Sequence, residues 1–260
     1  MADANTALVT GATGALGPIL VNALLAGGKR VRVLSRRPIP GGYFSSPLET
    51  VVGDIADPQT AASAAAHIDV VFHIAAMLHI PNPPANLRAE YERVNVMGTQ
   101  LMIENAQKAG VKRVVFFSTI AVYGATPETI ADETTSPRPD TFYAETKLQA
   151  EAIALSARRS SGEPLACVLR LAAVYGSRMK GNYRRLARAL ARGWFAPIGD
   201  GSNRRALIHE QDAAAAALLA AEHSHAAGKI FNVTDGEVHS VKEILDAMSA
   251  GLGRRPIAWH

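Results

Sequence analysis

The run Ala7-Leu-Val-Thr10, stopped at Gly11, is followed by apolar residues at Leu16, Ile19, Leu20, Ala23 and Leu24. This pairing constrains the chain more than any other feature. The first segment is a short unbroken apolar run and reads as a buried strand. The second repeats every three to four residues and reads as a helix over 14–26. The same alternation recurs down the chain. Strands are expected over 30–34, 51–52, 70–74, 114–117, 165–171 and 229–233. Helices are expected over 57–66, 87–109, 142–160, 178–194, 211–222 and 240–250. Strands separated by helices of ten or more residues give βαβ units and a parallel sheet. Apolar strands without strict alternation belong to a sheet covered on both faces.

The turn after the first strand is Gly11-Ala-Thr13-Gly14-Ala15-Leu16-Gly17. Gly11 permits a tight turn, Gly14 lets a phosphate approach the backbone, and Gly17 lets helix pack closely on strand. Free N–H groups at the helix start favour anions. The loop therefore predicts a dinucleotide-binding fold: α/β, a doubly wound parallel sheet of Rossmann type with a small C-terminal substrate-binding region. Residues 1–176 form the dinucleotide-binding core, and 177–260 the mainly substrate-binding part, with elements returning to the sheet. An acidic residue near the end of the second strand would bind a ribose 2′-hydroxyl. That position carries Ser35-Arg36-Arg37 instead, and arginine pairs well with a 2′-phosphate. The cofactor is thus expected to be NAD or NADP, with NADP favoured.

Composition narrows the setting. The chain has 260 residues, 48% hydrophobic and 19% charged, enough apolar residue to bury a core. A single cysteine, Cys167, excludes an internal disulfide and a multi-thiolate metal centre. The net charge of +4 is too small to indicate nucleic acid. No apolar run is long enough to span a bilayer, and the first residues lack the basic and apolar regions of a signal peptide. No metal, no nucleic acid and no membrane is expected, only a small-molecule substrate. The expected location is cytoplasmic, and the expected state a homodimer.

Tyr143 and Lys147 lie four apart on an expected helix and project from one face. An ammonium beside a phenol favours phenolate, so the pair can exchange a proton with a substrate hydroxyl. Thr119, or its neighbour Ser118, ends the preceding strand and is placed to orient the substrate oxygen. Arg184, Arg188 and Arg192 form a basic stripe, read as a solvated helix face. His223 and His225 lack a third ligand.

With these motifs in place, the chain resembles the extended short-chain dehydrogenase/reductases, specifically the NAD-dependent epimerase/dehydratase family. Asp54-Ile55 looks like the adenine-binding pair, and His73-Ile-Ala75-Ala76 like the loop beside the adenosine. Asn95-Val-Met-Gly98-Thr99 looks like the helix whose asparagine braces the site. Phe117-Ser118-Thr119 to Gly124 looks like the catalytic strand end. Ala173-Val174-Tyr175-Gly176 resembles the segment that closes over nicotinamide. The resemblance implies cofactor binding by the glycine loop, Ser35–Arg37, Asp54, Ile55, Ala75, Ala76, Asn95, Tyr143, Lys147, Ala173 and Val174. It implies substrate binding by Arg178, Asn182 and Arg205. The implied activity is hydride transfer at a secondary alcohol or ketone, with a nucleotide-activated sugar as substrate. Leu171 and Ala173 depart from the proline and asparagine of many sugar epimerases. A reductase of a hydrophobic ketone therefore stays open, as does a non-catalytic NADP sensor.

Overall fold

A computed structural model describes residues 6–125, 130–178, 182–193, 195 and 199–254. Ten strands are present among them: β1 (Thr6–Thr10), β2 (Arg30–Ser35), β3 (Glu49–Val52), β4 (Val70–His73), β5 (Arg113–Thr119), β6 (Ala166–Leu171), β7 (Ala173–Tyr175), β8 (Arg204–His209), β9 (Ile230–Val233) and β10 (Val238–Ser240). The helices are α1 (Gly17–Ala26), α2 (Pro58–Ala65), α3 (Arg88–Tyr91), α4 (Gly98–Lys108), α5 (Phe142–Ser156), α6 (Asn182–Arg192), α7 (Glu210–Glu222) and α8 (Val241–Gly251). Seven strands form one parallel sheet in the order β3-β2-β1-β4-β5-β6-β9. The fold is a Rossmann-type doubly wound sheet.

Period-two alternation along each strand builds a core on both faces. In β1, Ala7 and Val9 join Leu20, Leu24, Ala213 and Ala217 on the face covered by α1 and α7. Leu8 lies between them in sequence but packs on the opposite face, with Ala61, Met102, Ile103 and Ala150 of α2, α4 and α5. Successive strands are added in opposite directions on either side of the parallel pair β1 and β4, which register Thr10 against His73. This is the switch point where the carboxyl ends of a doubly wound sheet leave a crevice.

The structure departs from the expected elements in several places. The first helix begins at Gly17, three residues late, because the glycine loop itself is a turn closed by Gly14 N–H to Gly11 C=O at 2.9 Å. The long helix is not uniform: between α3 and α4 it opens into a π turn over Glu92–Met97. The sixth helix starts at Asn182, whose side chain lies outside the described residues, as does Trp194. A second sheet, β10-β8-β7, was absent from the sequence reading. Its strand β8 begins Arg204-Arg205 and so resembles a charged loop. Strand β9 returns to the main sheet beside β6.

Candidate active site

The glycine loop wedges into the switch-point crevice. Gly11 has φ of +72°, and a Cβ there would stand 2.8 Å from Ala75 N. A Cβ on Gly17 would stand 2.5 Å from the Ala12 carbonyl. Backbone thus touches backbone at both ends of the turn. Thr13 remains exposed, Gly14 and Ala15 half-exposed, and Leu16 is buried as an anchor. The first N–H groups of α1 have no partner within the helix. This cradle fits the diphosphate of a dinucleotide, because close backbone approach and unpaired donors are what a phosphate requires.

At the far end of the cradle Asp54 is held below the usual carboxylate range, first by Arg93, then by the Ala56 N–H and by Arg36. Arg93 spans Asp54 at 3.0 Å and Glu90 at 2.8 Å. Sequence reading missed Arg93 and Glu90, which no motif marks. Ile55 is core, filling the space opposite Gly98. Ser35 Oγ accepts from Arg37 N–H at 3.4 Å, while Arg36 and Arg37 face solvent. Ala75 and Ala76 are half-buried beside the loop.

The edge of β5 carries Thr119. Its Oγ1 accepts from Ala121 N–H at 3.2 Å and caps the short turn Ile120–Tyr123. The same hydroxyl lies close enough to the Tyr143 phenol to favour its ionised form. Helix α5 begins just before Tyr143, capped by Thr141, whose hydroxyl accepts from Ala144 N–H at 3.2 Å. One turn further, Lys147 is 2% exposed, with Nζ 4.0 Å from the centre of the Phe116 ring. Burial pushes the Tyr143 phenol up to about 12; Tyr91 adds to this and the Thr119 hydroxyl opposes it. Burial pushes the Lys147 ammonium down to about 7, against an opposing pull from Glu151.

Ser118 is not in this group. Its hydroxyl donates to the Glu151 carboxylate on the other side of the strand. Adjacent strand residues face opposite ways, so the period alone could have separated Ser118 from Thr119.

Asn95 sits in the π turn at 1% exposure. Its side chain accepts from Met77 N–H at 2.7 Å and donates to Met77 C=O at 3.2 Å and Thr146 Oγ1 at 3.0 Å. It fixes the loop after β4 against α5. That loop carries exposed Leu78 and Ile80, and sets the His79 ring 6.3 Å from the Tyr143 ring. His73 is buried between Thr10 at 2.8 Å and Thr99 at 3.0 Å.

The remaining candidates lie further along the chain. Ala173 and Val174 start β7, paired with Leu207 and Ile208. The next turn is clasped by Glu210, which accepts from the Ser177 N–H at 2.9 Å and hydroxyl at 2.7 Å. Arg178 donates to Tyr43 Oη at 2.6 Å and stacks on that ring. Arg205 is exposed and folds back to the Arg204 carbonyl at 2.9 Å. Among the described residues no cluster of His, Cys, Asp or Glu could hold a metal ion, and no helix is long and apolar enough to cross a membrane.

The family model for the NAD dependent epimerase/dehydratase family matches residues 7–234. The chain belongs to this family. Among its relatives, the uncharacterized protein y4nG of Sinorhizobium fredii is 33% identical over 94% of this chain and 59% of its own length. A 3-beta-hydroxysteroid dehydrogenase of Mycolicibacterium neoaurum is 30% identical over 97% of this chain and 72% of its own. The solved structure of MoeE5 in complex with UDP-glucose and NAD superposes with a TM-score of 0.85 at 34% identity, covering 97% of this chain and 83% of MoeE5. This chain therefore spans little more than half the length of y4nG. As an epimerase/dehydratase family member it has the extended short-chain dehydrogenase/reductase fold. Tyr143, Thr119 and Asn95 converge at the carboxyl ends of its parallel strands.

Proposed function

We propose that the protein is an NAD(P)-dependent oxidoreductase or epimerase acting on a secondary alcohol or ketone, with a nucleotide-activated sugar as substrate. The observation that carries this is the placement of the Thr119 hydroxyl by the Tyr143 phenol, with buried Lys147 one turn along the same helix. A bound nicotinamide would supply hydride transfer to or from the substrate carbon. Tyr143 exchanges the accompanying proton with the substrate oxygen, and Thr119 holds that oxygen in reach. With its phenol pushed up to about 12, Tyr143 rests as the acid and is ready to donate to a carbonyl. In the reverse direction it needs the Lys147 ammonium beside it, because positive charge favours phenolate. Gly11, Thr13, Gly14, Ala15 and Gly17 would hold the diphosphate, and Arg36 and Arg37 would favour the 2′-phosphate of NADP.

The substrate reading draws support from MoeE5, solved with UDP-glucose, and from the arginines of β8, which suit a diphosphate. A hydrophobic ketone is the second reading. Leu78 at 59% and Ile80 at 39% exposure stand beside His79 at the Tyr143 ring, and apolar side chains left in water there suit an apolar ligand.

The test is Tyr143→Phe. The ring and its packing remain while the proton carrier is removed. Turnover should fall by at least 10²-fold, the usual contribution of a positioned proton carrier, while cofactor affinity changes little. Retention of most activity would overturn the mechanism. UDP-sugars and a steroid ketone, assayed side by side with both cofactors, separate the two substrate readings.

A further inference from the structure

Behind the Tyr143–Lys147 pair lies a buried charged layer that the proposed proton exchange leaves unused. Glu151, on α5 one turn beyond Lys147, is 1% exposed. Its carboxylate accepts from Arg170 Nε at 3.0 and 3.1 Å and from Nη2 at 2.6 Å, and also from the Ser118 hydroxyl. Arg170 Nη1 donates to Tyr123 Oη at 2.8 Å, and that hydroxyl donates to Asn232 Oδ1 at 2.8 Å. Strands β5, β6 and β9 and helix α5 are thereby joined through one ion pair.

A pair this deeply buried returns little net stability, because desolvation offsets the attraction. Its position gives it another use. Tyr143, Lys147 and Glu151 follow one another at four-residue spacing on a single helix face. The groups facing Lys147 are Phe116 from β5, His73 from β4 and Glu151 from α5, with Tyr143 one turn before it on the same helix. Phe116 is apolar. His73 is a neutral imidazole with both nitrogens bonded to threonines. Tyr143 is a phenol at neutral pH. Glu151 is the carboxylate in this set. Arg170 holds both of its oxygens, so it acts on Lys147 through its field and does not draw the ammonium out of the site.

We propose that Glu151, clamped by Arg170 and Ser118, is a positioning residue that keeps Lys147 charged beside Tyr143. The inference rests on the acid/base reading of that pair. Burial works against the Lys147 charge and Glu151 works for it. Removing the carboxylate lets burial prevail and leaves the Arg170 cation to add repulsion.

The direct readout is the protonation midpoint of Lys147 in the purified full chain, followed by NMR of ε-labelled lysine and assigned with Lys147→Arg. In Glu151→Gln the midpoint should drop by about one unit or more, the scale set by a close opposite charge. The alkaline limb of the kcat/KM profile should move down in pH with it, with KM less affected. Glu151→Leu/Arg170→Leu fills the same space with apolar groups, an exchange that buried pairs commonly tolerate. It should shift the midpoint the same way by a smaller amount, and it decides the matter if Glu151→Gln does not fold. A wild-type Lys147 midpoint in the double variant would make the pair purely structural and overturn the proposal. A shifted midpoint combined with an active Tyr143→Phe enzyme would instead leave Glu151 in place and remove the acid/base reading.

Discussion

Arg36 is a single exposed cation whose neighbours decide its use. It lies close enough to Asp54 and Glu90 to help hold both carboxyls below their usual range. Those acids are already engaged by Arg93, so Arg36 adds charge without being needed to neutralise them. An exposed ion pair with one carboxylate contributes little, whereas a guanidinium on a phosphate forms two charge-assisted bonds. Arg36→Ala should therefore weaken NADP binding by about 1–3 kcal/mol and leave NAD nearly unchanged. Calorimetric titration with the two cofactors checks this, and equal losses for both would remove the 2′-phosphate argument. The sequence marks Arg36 as a candidate because it follows a clear strand at a position where charge type matters. It does not mark Arg93, since that residue reaches Asp54 across 39 residues and only the folded sheet brings them together.

At the scale of elements, the π turn between α3 and α4 decides what Asn95 can do. A π turn adds a residue to the helical repeat and re-aims a side chain inward. Here it turns Asn95 onto the Met77 backbone and Thr146. Asn95→Ala would leave Met77 N–H and C=O unpaired at a half-buried position, a loss of about 1–3 kcal/mol. Stability should fall by that amount, and Met77 amide hydrogen exchange should quicken more than exchange in β4. Unchanged protection at Met77 would show that Asn95 does not hold the loop. No sequence signal marked this turn, because apolar spacing continues through it. The main sheet was legible for the opposite reason: most of its strands carry an apolar run, and β1, β3 and β5 end at glycine or a polar pair. The second sheet was hidden, as β7 and β10 have only three residues each and β8 opens with two arginines. Such strands are defined by their pairing and not by their own composition.

Across the whole molecule, His73 links the sheet's switch point to the helix that carries Thr99, and its bonding fixes its proton. Thr99 Oγ1 donates to Asn95 C=O at 2.6 Å, so it accepts from His73 Nε2–H at 3.0 Å. Nδ1 is then left to accept from Thr10 Oγ1–H at 2.8 Å, and that hydroxyl accepts from Ala75 N–H at 3.1 Å. The chain runs one way from the loop after β4, through β1 and β4, to α4, and it requires neutral imidazole. Burial, assisted by Lys147, pushes His73 from 6.5 down to about 3. A lowered histidine leaves the folded state short of a proton that the unfolded chain takes up. Its contribution to stability is present above about pH 6.5 and is lost as pH falls from there towards 3. Lys147, pushed from 10.5 to about 7, tilts stability the same way at higher pH but is protonated in both states below that window. In His73→Gln the residue stays neutral at every pH. The stability difference between wild type and His73→Gln should therefore shrink on acidification, by at most about 1.4 kcal/mol per pH unit. Urea unfolding of both proteins from neutral pH to about pH 4 measures it, and parallel curves would mean that His73 takes up its proton in the folded state.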